Sequence, residues 1–281
     1  MRFLSKLRLP RAIQVFLTSC VLLFLTSIYA HKIEPNWLEI KQIRIALPHL
    51  DRAFAGYRIV QLTDLHVGDG IDRAQLARIV ATVNAQQPDL IVLTGDFISH
   101  DPEHQAKLLT STLAGFQAHD GTLAVLGNHD VFDDNGPSVR RSIMRAGVAL
   151  LENTVHTVQR NGATLSIGGV GDVWYGAAKL DRILAQLPLT GAAIMLAHEP
   201  DFADETAATG RFGLQLSGHS HGGQVRLPLI HKYPPFGRKY PIGKYQVGNM
   251  IQYTSRGVGS PGIHARFNCR PEISVFNLVA S

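Results

Sequence analysis

The sequence predicts an α/β domain carried behind an apolar N-terminal helix. Three features lead there: an uncharged run at 12–30, short β-branched runs alternating with amphipathic stretches beyond residue 40, and polar residues of metal-ligand type directly after five of those runs.

The apolar run, AIQVFLTSCVLLFLTSIYA, follows a basic leader containing Arg2, Lys6, Arg8 and Arg11. At about 1.5 Å per helical residue it spans roughly 28 Å, close to a hydrocarbon core of about 30 Å. Positive charge ahead of the run predicts a single-pass anchor in the inner (cytoplasmic) membrane, with the rest of the chain on the periplasmic side. Lys32, Lys41 and Arg44 just beyond it leave association with the cytoplasmic face as the alternative. Ile28-Tyr29-Ala30 is a poor small-x-small site, which favours an uncleaved anchor over a signal peptide. Leu17-Thr18-Ser19-Cys20 imitates a lipobox, but apolar sequence continues past it.

The remainder has the composition of a folded domain, the whole chain being 45% hydrophobic and 17% charged. Four of the 27 basic residues and none of the 22 acidic ones fall in 1–30, which leaves 23 against 22. The basic excess therefore belongs to the leader, and a nucleic-acid partner is not expected. Cys20 and Cys269 are too few and too differently placed for a disulfide framework.

Runs at 57–63, 89–94, 122–126, 192–197 and 213–217 read as buried strands. Asp72 caps a helix carrying Leu76, Ile79, Val80 and Val83, and Asp101-Pro102 opens another with Leu108, Leu109, Leu113 and Phe116. Asn161-Gly162 marks a hairpin within 156–170, and further strands are expected near 251–255 and 272–278. The division is a leader and anchor at 1–30, a linker at 31–39 and one domain at 40–281.

Asp64 and His66 follow the first run, Asp96 the second and Asn128-His129-Asp130 the third. His198 follows the fourth, and His219 and His221 the fifth. Ligands bind at that edge of open α/β sheets. In an extended segment residues i and i+2 share a side, so Asp64/His66 and His219/His221 are expected to converge. Glycine before Asp96, Asn128 and His219 allows sharp turns and close approach to an ion. A carboxylate such as Asp96 can bridge two cations. Oxygen with imidazole suits Mn, Fe, Zn or Co, and two such ions about 3.5–4 Å apart activate water and clamp phosphoryl oxygens.

This set, with the strings QLTDLHVG, VLTGDFIS, VLGNHD, HEPD, SGHSHGGQVRLP and SRGVGSPGIHARFNCRPEI, resembles the calcineurin-like metallophosphoesterase superfamily. Within it the strings look like the membrane-associated bacterial phosphodiesterases of the YaeI and YkuE type, and are similar to the UDP-2,3-diacylglucosamine pyrophosphatases of lipid A synthesis. The resemblance covers about residues 40–275. It implies a four-layer α-β-β-α sandwich, with one metal on Asp64, His66, Asp96 and His221 and a second on Asp96, Asn128, His198 and His219. It also implies that His129 faces the phosphoryl group and that Asp130 orients it. Every metal position of the pattern is filled, unlike in family members that have become scaffolds. The activity implied is hydrolysis of a phosphodiester or pyrophosphate, on a lipid-linked substrate. A broad phosphomonoesterase or protein phosphatase and a non-catalytic metal-stabilised scaffold are the alternatives, and no protein partner is indicated.

Around this set, Trp174 and Tyr175 are expected as a wall of the substrate pocket, and Arg226 and Arg266 as phosphate-binding arginines. His31, His49, His100, His104, His119, His156, His231 and His264 lack motif context and read as surface or structural. No acid occurs from 206 to 271, where nine Lys and Arg do. Within that stretch, 231–245 mixes basic and aromatic residues as a headgroup-facing loop would.

Overall fold

Strands that are apolar on both sides need cover on both sides, and the fold supplies it with two sheets packed face to face. The computed structural model describes residues 10–132, 135–228 and 232–280; Arg2, Lys6 and Arg8 of the leader, and His231, lie outside the described residues. In chain order the strands are β1 (Glu39–Leu47), β2 (Arg58–Leu62), β3 (Leu90–Thr94), β4 (Thr122–Val125), β5 (Ala149–Leu150) and β6 (Thr154–Arg160). They continue with β7 (Ala163–Gly169), β8 (Ala192–Leu196), β9 (Leu214–Ser217), β10 (Gly243–Val247), β11 (Met250–Thr254) and β12 (Glu272–Ala280). One six-stranded sheet runs β1-β12-β2-β3-β4-β5 and the other β10-β11-β9-β8-β7-β6. Strands β2, β3 and β4 are parallel to one another, as are β7, β8 and β9.

Between the sheets, Ile59, Leu90, Val92 and Val125 meet Ile167, Ile194, Leu196 and Leu216. The outer face of the first sheet is covered by α2 (Arg73–Asn84), α3 (Pro102–Leu113) and α5 (Gly136–Arg145) through Leu76, Ile79, Leu109, Val139 and Ile143. The outer face of the second takes α6 (Leu180–Gln186) and α7 (Ala203–Ala208) through Ile183 and Ala203. These are the four α-β-β-α layers, joined at the site by a short α4 (Asn128–Val131).

The five expected runs are β2, β3, β4, β8 and β9, each trimmed by a residue or two. Asn161 and Gly162 turn the β6–β7 hairpin with positive φ at both positions, 48° and 81°. Asp72 and Asp101 cap α2 and α3 by accepting from the backbone N–H of Gln75 and His104. Helix α1 (Arg11–Ile28) has no buried residue, and Arg11–Asn36 is long and apolar enough to cross a membrane.

The stretch expected as a linker is folded. A π-helical turn at Tyr29–Ile33 and a 3₁₀ turn at Glu34–Asn36 prolong α1. Glu34 is buried there because its carboxylate accepts the backbone N–H groups of Asn268 and Cys269. Strand β1 then runs parallel to β12 along its whole length. Ile194, fully buried between the sheets, tests how far this core carries stability. Ile194→Ala should lower stability by about 2–5 kcal/mol, read as a lower denaturant midpoint with secondary structure retained at zero denaturant.

Candidate metal centre

The five loops that follow β2, β3, β4, β8 and β9 meet at one end of the sandwich, where the edges of both sheets face each other. A cross-sheet bond fixes that meeting: the Gln61 amide donates to the Ser217 carbonyl (3.0 Å) and, within its own sheet, to the Thr94 hydroxyl (2.9 Å). Asp64 and His66 converge on one group of donors, though not by strand alternation, whereas His219 and His221 part to two neighbouring groups. All four have positive φ (56°, 48°, 70° and 50°), as does Asp96 at 55°. Left-handed backbone at non-glycine residues costs free energy and clusters at functional sites. Glycine permits close approach here. A Cβ on Gly127 would lie 2.3 Å from Asp96 Oδ1, and one on Gly218 would lie 2.1 Å from the Thr63 hydroxyl.

Two groups of donors result, Asp64, His66, Asp96 and His221 in one and Asp96, His198 and His219 in the other. His66 Nε2 lies 3.2 Å from His221 Nε2 and 3.5 Å from Asp96 Oδ2. His198 Nε2 lies 3.2 Å from both Asp96 Oδ2 and His219 Nδ1. His198 donates from Nδ1 to the Thr94 carbonyl (2.7 Å), and His219 from Nε2 to the Pro235 carbonyl (2.8 Å). Each ring thus turns its other nitrogen inward, the outer-shell arrangement of histidines that hold metals. His66 does the same, with Nδ1 on the Ser99 hydroxyl at 2.8 Å. Asn128 Oδ1 is buried and lacks a hydrogen-bond partner among the described residues. A buried oxygen without a donor and nitrogens facing nitrogens fit a divalent cation.

The electrostatics agree. Burial pushes His66 down to about 3 and His219 to about 4, and His221 well below the usual imidazole value. These rings are neutral at pH 7 and keep a lone pair for a ligand bond. Burial pushes Asp64 up to about 7, with Asp96 adding to it and His198 opposing. Burial also works against the charge on Asp96, yet His198, joined by His66 and His129, holds that carboxyl well below its usual range. Burial likewise works against a charged His198, but Asp96 lifts it well above its own.

A sequence model of the calcineurin-like phosphoesterases matches residues 57–223, which hold every donor named above. The chain belongs to the calcineurin-like metallophosphoesterases. It is 35% identical to the metallophosphoesterase YkuE of Bacillus subtilis, over 89% of this chain and 88% of that one. It is 32% identical to the phosphodiesterase YaeI of Escherichia coli, over 89% and 92%. The UDP-2,3-diacylglucosamine pyrophosphatase LpxG of Chlamydia trachomatis is 27% identical, over 89% and 92%. The protein is accordingly a hydrolase of phosphoester bonds with donor clusters suited to divalent metal ions.

In this metallophosphoesterase the cleft over the donors has a volume of about 280 Å³, and Asp96, Asn128, His129, His219 and His221 line it with Trp174 and Lys232. Other expected residues fall elsewhere. Asp130 does not reach the His129 ring. Its carboxylate accepts backbone N–H groups from Asp96, Phe97, Ile98 and Gly127 at 2.7–3.3 Å, so it braces the loops after β3 and β4 against each other. Arg266 is fully buried and does not face the cleft. Its guanidinium donates to the carbonyls of Arg256, Gly257, Gly259 and Cys269 and ties the C-terminal motif into a knot. Tyr175 is exposed outside the cleft, its N–H on Asp172 Oδ1. Arg226 is half-buried beside the cleft, its N–H donating to the Phe267 carbonyl.

The 231–245 loop is also more anchored than its composition suggests. Tyr240 and Tyr245 pack in the outer core of the second sheet, and Lys239 pairs with Asp204 at 2.6 Å. Phe236 stays exposed and packs on Trp174, which packs on His219. Sequence reasoning missed Phe236 as a wall, and Glu199, whose buried carboxylate accepts the N–H groups of Val173 and Trp174. The string HEPD carried the only signal for Glu199. The close approach at Gly127 gives a direct check on the metal centre. Gly127→Ala should cost about 1–3 kcal/mol by overpacking and lower bound metal by elemental analysis, with the far-ultraviolet spectrum unchanged.

Proposed function

We propose that the protein hydrolyses the phosphodiester or pyrophosphate bond of a lipid-linked substrate with two divalent cations. One is held by Asp64, His66, Asp96 and His221, the other by Asp96, Asn128, His198 and His219. The observation that carries this reading is Asp96, whose carboxylate belongs to both donor groups. Divalent cations in these positions would supply Lewis acidity to a phosphoryl oxygen and an acidified water to attack phosphorus. Mn, Fe, Zn and Co all suit such donors.

His129 lies over this centre, its ring edge-on to His66 at 5.0 Å and its N–H donating to Asp96 Oδ1 at 3.0 Å. The shared carboxylate thus fixes where the ring stands. Its role is to bind a phosphoryl oxygen and deliver a proton to the leaving oxygen. Lys232 adds positive charge at the rim, while Trp174 and Phe236 offer an apolar wall that excludes water beside the phosphate. A phosphate flanked by a bulky apolar group suits that pocket, and the name of LpxG describes such a substrate for a relative. Helix α1 supports the same reading: it holds the enzyme in the inner membrane, with the basic leader in the cytoplasm and the domain on the periplasmic side.

The purified full-length chain in detergent with added Mn should cleave an activated aryl phosphodiester, and EDTA should abolish this until Mn is restored. Turnover that persists after elemental analysis finds no metal would refute the mechanism. Substitutions should separate the roles. Asp96→Asn should release both cations, whereas His129→Ala should keep them and lose about 10²–10⁴-fold in kcat. Metal loss in His129→Ala would make that ring a ligand instead.

A further inference from the structure

We propose that one particular face of the domain, carrying Leu227, Ile263 and Phe267, is seated in the headgroup layer of the bilayer that α1 spans, bringing the rim of the catalytic cleft to lipid depth. This rests on reading α1 as a membrane span.

The end of α1 is clamped. Arg266 N–H donates to the Ala30 carbonyl at 2.9 Å, and the Tyr29 and Phe267 rings meet edge-on at 6.1 Å. Glu34 receives the N–H groups of Asn268 and Cys269 on one side. On the other, Gln75 and Arg78 of α2 donate to the Pro35 carbonyl (3.2 Å) and to Asn36 Oδ1 (2.9 Å). The domain therefore keeps one orientation about the helix. The uncharged run ends at Ala30, so residues 266 and 267 stand level with the edge of the hydrocarbon.

From that level the cleft is one backbone pairing away. Phe267 donates its N–H to the Gln224 carbonyl (3.0 Å) and accepts from Arg226 N–H (2.9 Å). Gln224, whose side chain donates to the Pro261 carbonyl (3.1 Å), lines the cleft together with Pro261. Beside these residues Ile263 is 69% exposed, Leu227 44% and Ile33, on the helix end, 49%. Apolar side chains grouped around the exit of a spanning helix mark a membrane contact. Lys32 and Arg226 stand among them, and the chain carries no acid from 206 to 271, which suits an anionic headgroup layer.

Depth-resolved tryptophan quenching tests this. The chain has two tryptophans, so Trp37→Phe with Trp174→Phe gives a blank background for Ile263→Trp or, separately, Leu189→Trp. Leu189 is 96% exposed and precedes β8, at the opposite end of the strand from His198. The full-length variants are reconstituted into phosphatidylcholine–phosphatidylglycerol vesicles, with or without bromine on the upper acyl carbons. Tryptophan at 263 should lose roughly half its emission to brominated lipid, while tryptophan at 189 should keep nearly all, as expected for interfacial and aqueous positions. Equal and slight quenching at both sites, in vesicles that retain the protein through a carbonate wash, overturns the proposal. Release of the protein by carbonate overturns the spanning reading itself. Leu227→Glu with Ile263→Glu should also slow cleavage of a lipid-borne diester in vesicles tenfold or more, with hydrolysis of a soluble aryl diester unchanged. Equal loss on both substrates overturns it.

Discussion

Carboxylates and imidazole lone pairs set 3.2–3.5 Å apart repel one another until a cation or a proton lies between them. A chain that brings such groups together in a buried place must hold them by means that do not depend on their mutual attraction. The two sheets supply most of that restraint. Donors come from the ends of β2, β3 and β4 in one sheet and β8 and β9 in the other, and the core between the sheets fixes their separation. The left-handed residues and the Asp130 brace act at shorter range, turning each loop end inward. Core burial thus offsets backbone strain and like-charge crowding at the cleft.

Much of this was legible in the sequence. β-Branched runs announced the central strands, and the polar residues after them announced the donors, because strand ends and ligand chemistry are both written in residue type. The route by which those residues meet was not. A D-x-H triplet reads as one face of an extended segment, yet both ends of each triplet adopt positive φ, a backbone choice that His and Asp side chains do not declare. The strand runs alone did not divide the donors between two sheets, since sequential strands read equally well as one sheet; the two-sheet sandwich came only from the family resemblance.

Partners that are backbone atoms escaped for a related reason. Asp130 acts on four N–H groups and Arg266 on carbonyls, so neither finds its counterpart in any side-chain pattern. The basic, aromatic loop at 231–245 misled in a similar way. Asp201 and Asp204, more than thirty residues upstream, take up the backbone of 238–240 and the Lys239 ammonium, so a stretch that reads as free to meet lipid is largely committed to the domain.

That same loop joins two properties that enzymes often keep separate. Its Pro235 carbonyl holds the His219 ring, its Phe236 faces Trp174, and the Phe236 carbonyl accepts from Asp201 N–H. Against Phe236, Trp174 has its backbone held by Glu199, next to His198. Both halves of that wall are therefore extensions of residues that steady the donor rings. Insertions or deletions in either half would disturb the donor rings along with the pocket. Exchange of the Trp174 or Phe236 side chain, by contrast, would reshape the cleft over an unchanged backbone.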